Sequence, residues 1–226
     1  MYIQQMYIQC FKKLNFFISC YFYLDGVIMR ITIDHKIIEP NRHISHEEIL
    51  QEFEIVKGAV KDPAQFQILY DRYFTVIFNY IFRKIDNEDI TADLTSQTFL
   101  KAMRSLKKYK FKGVPFSAWL YRIASNEVNR HYQRTNNKLV FSFDEHEFEI
   151  LTKQNIEEEK ELDIEYIIQR MLTMRESDIE VIELRFFEAK SFAEISFILE
   201  ITEANAKMRT YRAIEKLKKL LKRRNG

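Results

Sequence analysis

Glycine and proline are scarce in this chain, at 4 and 3 of 226 residues. A sheet protein reverses direction often and draws on both residues for its tight turns, so an all-β fold is excluded. Cysteine is nearly missing as well. Cys10 and Cys20 are the only two, both in one N-terminal segment, which leaves no Cys/His cluster at metal-ligand spacing. His43 and His46 stand near a turn with no third ligand, short of the set that zinc needs. Nowhere do a nucleophile and base pair, a P-loop or a metal set occur, so neither enzymatic activity nor a cofactor is expected.

What the chain has in quantity is apolar residues at helical spacing. A hydrophobic fraction of 46% argues against global disorder. Long amphipathic stretches rich in Ile, Leu, Phe, Glu and Lys point to an all-α fold. The first 29 residues stand apart. Leu14–Leu24 is apolar and aromatic, yet short of the about 20 apolar residues of a membrane span. Lys12 and Lys13 precede it, but no small-residue cleavage site follows. Three readings fit this segment: translation beginning at Met29, a membrane anchor, or an extra packing segment.

The helices announce themselves by their starts. Ser45-His46-Glu47-Glu48 is a capping box, in which the serine accepts from the N3 amide and the glutamate reaches back. A short helix through Ile49, Phe53 and Val56 should follow. Asp62-Pro63 offers an N-cap and a proline at N1, where the missing N–H costs nothing. Phe66, Leu69, Tyr70, Tyr73, Phe74, Ile77 and Ile81 then recur at the spacing of a core-facing helix. A third helix begins after Asp86–Asp89. A fourth runs from about Phe116, beyond the boundary Gly113-Val114-Pro115, to about Arg134. Further on, Thr173–Glu176 and Ser191–Glu194 read as two more capping boxes. After a break at Glu200-Ile201, Thr202 reads as the N-cap of a final basic helix. Two short helices joined by a tight turn, the second basic, describe a helix-turn-helix.

Charge is segregated behind a net value of +2. Residues 144–165 are crowded with Asp and Glu against only Lys153 and Lys160, so this stretch reads as a linker. From Lys207 to Arg224 the chain is basic, opposed only by Glu215. A polyanion responds to local charge, so a near-neutral total does not argue against nucleic acid. A recognition helix presents its first turns to base edges and its flanks to phosphates. Thr202, Glu203, Asn205, Lys207, Arg209, Thr210 and Arg212 occupy those positions. Asn can pair with adenine, Arg and Lys with guanine, and Glu can accept from cytosine.

A second basic region interleaves Lys107, Lys108, Lys110, Lys112, Arg122, Arg130 and Arg134 with Tyr109, Phe111, Phe116, Trp119, Tyr121 and Tyr132. Cations follow a phosphate backbone and aromatic rings offer stacking surfaces to unpaired bases, which is what single-strand binding needs. Taken one at a time, Trp119, Phe116 and Ile123 suit a core equally well, with the lysines forming a wet face.

Two sets of residues together resemble the sigma-70 family of transcription initiation factors, and most closely its small extracytoplasmic function, or group-four, members. In the first half these are Asp93-Leu94-Thr95-Ser96-Gln97-Thr98-Phe99 and Trp119-Leu120-Tyr121-Arg122-Ile123-Ala124-Ser125-Asn126. In the second they are Leu184-Arg185-Phe186-Phe187, Glu194-Ile195, and Lys207 through Arg212-Ala213. The likeness runs from about Glu47 to Arg224. It implies an all-α protein of two helical domains. An N-terminal extension (1–40) would precede a region-2 helical bundle (41–135). An acidic linker (136–168) would lead to a region-4 helix-turn-helix (169–226).

The resemblance also implies roles. Asp93, Leu94, Gln97 and Phe99 would dock on the clamp helices of the polymerase largest subunit. Lys108, Lys110, Phe116, Arg122, Asn126, Asn129 and Arg130 would capture the melted non-template strand of the minus-ten element. Residues 202–212 would read the minus-thirty-five element as duplex. The implied partners are core RNA polymerase and promoter DNA in the cytoplasm, without stable membrane insertion, and the family analogy adds an anti-sigma protein that hides the DNA-reading surfaces. The chain departs from the family pattern at Glu200, where the turn usually has Gly, and at Ala204-Asn205-Ala206-Lys207, where the helix often starts Gly-x-Val-Lys. A positive φ at Glu200 would strain that turn. Two competing readings are a stand-alone helix-turn-helix regulator that never touches polymerase, and a membrane-tethered signalling or scaffold protein that uses the N-terminal segment.

Overall fold

The computed structural model describes residues 45–135, Phe141 and residues 164–222. The N-terminal segment, with its three readings, and the acidic stretch apart from Phe141 lie outside these residues. Every regular element among the described residues is helical. The first unit holds α1 (His46–Lys61), a 3-10 turn (Pro63–Gln65), α2 (Phe66–Ile85), α3 (Glu88–Ser105), a second 3-10 turn (Leu106–Lys108) and α4 (Phe116–Thr135). The second holds α5 (Ile164–Leu172), α6 (Glu176–Ile182), a π-type turn (Glu183–Phe187), α7 (Phe192–Leu199) and α8 (Glu203–Lys222). The second unit thus begins at Ile164, inside the span expected to be linker, because Ile167 and Met171 supply part of its core.

Most starts follow the local chemistry read from the sequence. Ser45 and Ser191 each close a complete capping box. Asp62 accepts from the Ala64 amide at 3.0 Å. Asn87, not read as a cap from the sequence, accepts from the Ile90 amide at 3.0 Å, so α3 starts at Glu88, inside the stretch expected to be a break. Thr202 accepts from the Asn205 amide at 3.2 Å and so opens α8. The box expected at Thr173–Glu176 does not form. The Thr173 hydroxyl instead donates back to the Arg170 carbonyl at 2.7 Å, closing the end of α5, and α6 starts after Arg175 without a side-chain cap. A threonine hydroxyl serves a helix end as readily as a helix start when a free carbonyl lies within reach.

Three corners take left-handed backbone without glycine: Asp86 (φ 50), Ala189 (φ 50) and Glu200 (φ 55). The strain expected at Glu200 is therefore present, at roughly 1–2 kcal/mol for a residue with a β-carbon. Gly113, at φ 73, is the one left-handed glycine among the described residues, and it turns the chain into α4.

The first core is aromatic. Tyr70, Tyr80, Tyr121, Phe66, Phe99 and Phe116 are its largest fully buried side chains, joined by Leu69, Ile77, Ile81 and Leu120. Tyr70 meets Phe99 edge-on at 4.9 Å, and Tyr80 meets Tyr121 in the same way at 4.9 Å, the geometry that ring quadrupoles favour. The second core is aliphatic, built from Ile167, Met171, Ile179, Val181, Ile182, Ala213 and Leu217, with Phe141 against it. The units are packed together. Ile195 and Ile198 of α7, with Leu184 and Ala206, join the first core, and α7 lies against α4.

Candidate nucleic-acid and polymerase interfaces

The final helix has one inward face and a basic outer one. Ala206, Thr210, Ala213 and Leu217 are buried along α8, at spacings of four, three and four, so one stripe faces inward. The rest of its first three turns is open. Thr202, Glu203, Asn205, Lys207, Arg209 and Arg212 are all exposed. Thr210 is not among them. It is 2% exposed and its hydroxyl donates to the Ala206 carbonyl at 2.9 Å, so the expectation that it reads DNA is corrected: it is buried, with its hydroxyl satisfied inside α8. Two open positions were missed. Met208 is 49% and Tyr211 53% exposed, on the same outer face. Tyr211 leans on Phe192, with ring centroids 6.2 Å apart, and the Lys207 ammonium lies 5.9 Å over its ring. Apolar groups out of register with the inward stripe were the available signal.

On α4 a second polar face stands open. Arg122, Asn126, Asn129 and Arg130 follow one another at helical spacing; the last three are exposed and Arg122 is half-buried. Arg130 is 3.5 Å from Glu127, and Lys101 also pairs with that buried carboxylate. Lys108 and Lys110 are exposed on the loop that precedes α4. Phe116 is different. At 1% exposure it sits under Trp119 and Tyr109, with ring centroids 5.5 and 5.4 Å away. The structure corrects its assignment to base stacking, since a ring inside the core offers no face to a nucleotide.

The loop before α4 is held from a distance by α1. Glu52, 4% exposed, accepts from the Phe116 amide at 2.7 Å and from the Tyr73 hydroxyl, with the Arg72 guanidinium 3.4 Å away. A carboxylate at a helix N-terminus satisfies an orphan amide and favours the dipole. Phe53, one residue along, stacks on Phe111 at 4.7 Å and 21°. Burial, then the Glu52 charge, pushes the Tyr109 hydroxyl up to about 12, and the same two causes hold Tyr73 well above the ordinary tyrosine range. Sequence reasoning did not find Glu52, because a lone glutamate inside an amphipathic helix looks like a solvent-facing residue.

The third cluster lies on α3. Asp93 is exposed and accepts from the Gln97 side-chain amide at 2.7 Å. Leu94 and Phe99, at 4% and 0% exposure, turn the other way into the aromatic core. Their assignment to a polymerase contact is corrected on that ground. Of the four, Asp93 is exposed and Gln97 half-buried, so theirs is the edge open to a partner. Among the described residues no three His, Cys, Asp or Glu side chains converge as a metal site, and no helix is long and apolar enough to cross a membrane.

Comparison with known proteins places these clusters in a common frame. Residues 69–138 match sigma-70 region 2, and residues 164–217 match sigma-70 region 4. The ECF RNA polymerase sigma factor BldN of Streptomyces coelicolor is 30% identical over 173 residues, covering 74% of this chain and 65% of that protein. The RNA polymerase sigma factor YlaC of Bacillus subtilis is 28% identical over 157 residues, covering 67% of this chain and 88% of that protein. Among solved structures, CnrH in complex with the cytosolic domain of CnrY shares the fold, with a TM-score of 0.53 at 20% identity over 76% of this chain and 97% of that one.

Proposed function

Since the chain belongs to the sigma-70 family, as one of its extracytoplasmic function members, we propose that it binds core RNA polymerase and directs it to promoter DNA. The observation that carries this reading is the presence of two open polar faces on two units, the outer face of α8 and the Arg122–Arg130 face of α4. A simple duplex-binding regulator needs only the first.

In this reading the outer face of α8 lies in the major groove of the minus-thirty-five element. Glu203, Asn205, Lys207, Met208 and Tyr211 face base edges, while Arg209 and Arg212 reach phosphates. Met208 and Tyr211 suit the methyl of thymine. Asn126 and Asn129, flanked by Arg122, Arg130, Lys108 and Lys110, take the unpaired bases and backbone of the melted minus-ten strand. The Asp93–Gln97 edge docks on the clamp helices of the largest polymerase subunit. An anti-sigma protein that covers these faces belongs to the same reading, and the work is cytoplasmic, where polymerase and promoter are. The polymerase supplies the chemistry, and this chain supplies promoter choice and a trap for unpaired bases.

The test is run-off transcription with core polymerase and a library of promoter fragments, with and without the chain. Transcripts from a defined promoter subset, lost on Asp93→Ala or Asn126→Ala, are the expected result. Duplex binding without added transcription would point to a stand-alone regulator instead.

A further inference from the structure

One buried carboxylate of the first unit is outnumbered by cations. Glu127 lies at the inward edge of α4 and is 3% exposed. A charge removed from water in this way is costly unless it is paired. Two cations pair with it. The Lys101 ammonium reaches Oε2 from α3, and the Arg130 guanidinium lies 3.5 Å from Oε1, one turn further along α4. Both cations keep a wet side, with side chains 38% and 50% exposed. Two positive charges against one negative leave a surplus of one, held over the edge where α3 packs on α4.

That surplus is fixed in place. Lysine has three N–H donors and arginine five, and the two carboxylate oxygens engage only some of them. The 3.5 Å separation at Arg130 is longer than an ordinary hydrogen bond, so charge holds the fork and leaves its donors to other acceptors. A long cationic side chain gives up much rotamer freedom when it binds, and one already held has less to give up. The surroundings are polar. Asn126 and Asn129 are exposed on α4 beside Arg130. On α3, Arg104 is exposed three residues beyond Lys101, and Lys107 and Lys108 are exposed in the turn that follows. Positions 101, 104 and 108 recur at helical spacing, so a row of cations leads from Glu127 to the Lys108–Lys110 loop.

We propose that Glu127 is a positioning residue, and that Lys101 and Arg130, set by it, clamp the phosphates of a single strand of DNA. Lys101 thereby joins the strand-binding surface, although it belongs to α3. That the strand is the melted minus-ten element rests on the function proposed above; the clamp itself needs only an unpaired strand. Both cations sit on one carboxylate and so reach the same short stretch of backbone. A phosphate contact places a strand without reading it. The clamp therefore fixes where the backbone lies, while Asn126 and Asn129 meet the bases.

Anisotropy of a labelled, random-sequence single strand of DNA, titrated with the full chain across a salt series, tests the clamp. The sign of one substitution decides it. Glu127→Gln removes a negative charge from beside the strand, so binding tightens if Glu127 merely opposes the phosphates. A positioning role gives the reverse: affinity falls severalfold at fixed salt, although the chain has become more positive. Lys101→Gln should also weaken binding and lower the magnitude of the salt slope by about 0.7, the share of one single-strand phosphate contact. The two changes together should weaken binding by less than the product of their separate effects, because they act on one pair. Affinity for core polymerase and helix content by circular dichroism are measured alongside. Should Glu127→Gln lose helix content, Lys101→Gln decides alone, since its side chain lies near the surface: unchanged affinity and slope overturn the clamp. Tighter or unchanged binding by a fully helical Glu127→Gln, or no binding by the unaltered chain, overturns it too. So does a Lys101→Gln effect confined to polymerase affinity, which would assign Lys101 to the docking edge of Asp93 and Gln97 on the same helix. A chain whose clamp behaves as described but adds no run-off transcript overturns the functional reading and leaves the single-strand site standing.

Discussion

The two units solve the same problem, a small helical body beside DNA, with different materials. The first fills its core with tyrosine and phenylalanine and ties α1 to α4 through the buried Glu52. The second uses Ile, Val, Leu, Met and Ala and leaves a basic helix facing outward. Residue type therefore carries different information in each. In the first unit an aromatic ring is most often structure, and the polar side chains between the rings make the surface. In the second unit an exposed large apolar side chain is the unusual event, and Met208 and Tyr211 mark the outer face of α8.

High pH should separate the two units most completely. The tyrosines that burial pushes up, Tyr73, Tyr80, Tyr109 and Tyr121, all lie in the first unit. Their folded values lie above the unfolded value of about 10. The stability they confer is complete below about pH 10 and is lost as pH rises through the folded values, which for Tyr109 is about 12. The single tryptophan, Trp119, reports on the first unit. Its fluorescence should change at lower pH than the second unit's helical signal by circular dichroism; coincident transitions would break the comparison.

Core truncation comes next. Phe99→Ala should cost about 3–5 kcal/mol and Ile182→Ala about 2–5 kcal/mol. In urea titrations, Phe99→Ala should move the Trp119 transition, while Ile182→Ala should move chiefly the circular dichroism one. Glu52→Ala leaves the Phe116 amide and the Tyr73 hydroxyl without their acceptor and should cost about 1–3 kcal/mol, read in the same titration. It should also weaken binding of a minus-ten single strand, since the Lys108–Lys110 loop loses its anchor. The smallest change is on the outer face of α8. Arg209→Ala or Arg212→Ala should leave stability within about 0.5 kcal/mol. A lost phosphate contact should lower the magnitude of the salt slope of duplex binding by about 1, measured by anisotropy across a salt series.

Much of this fold was legible because its punctuation is local. Ser45, Asp62, Ser191 and Thr202 each cap the element that follows within three residues, and inward stripes repeat at helical spacing. Thr173 was misread because its hydroxyl had a choice between two helix ends. The candidate site was half legible. A family motif records contact residues and core residues alike, so Leu94, Phe99 and Phe116 travelled with Asp93, Gln97 and Arg122 until burial separated them. The pairing of Arg83 and Lys84 with Glu183 and Glu188 was beyond reach. Nothing in a helix pattern says which charge meets which across a chain that long.

The left-handed corners at Asp86, Ala189 and Glu200 bear on how this chain can drift. Glycine at any of them would relax the native backbone, yet it would also widen the denatured ensemble, an opposing effect of about 0.4–1 kcal/mol. That opposing effect offsets part of the roughly 1–2 kcal/mol of strain, so a side chain at a corner costs little and can be kept where it gains a contact. At Glu200 the carboxylate in that position meets Arg122. Corners of this kind are where related chains of the same fold can differ in how tightly their halves hold each other, without any change to either core.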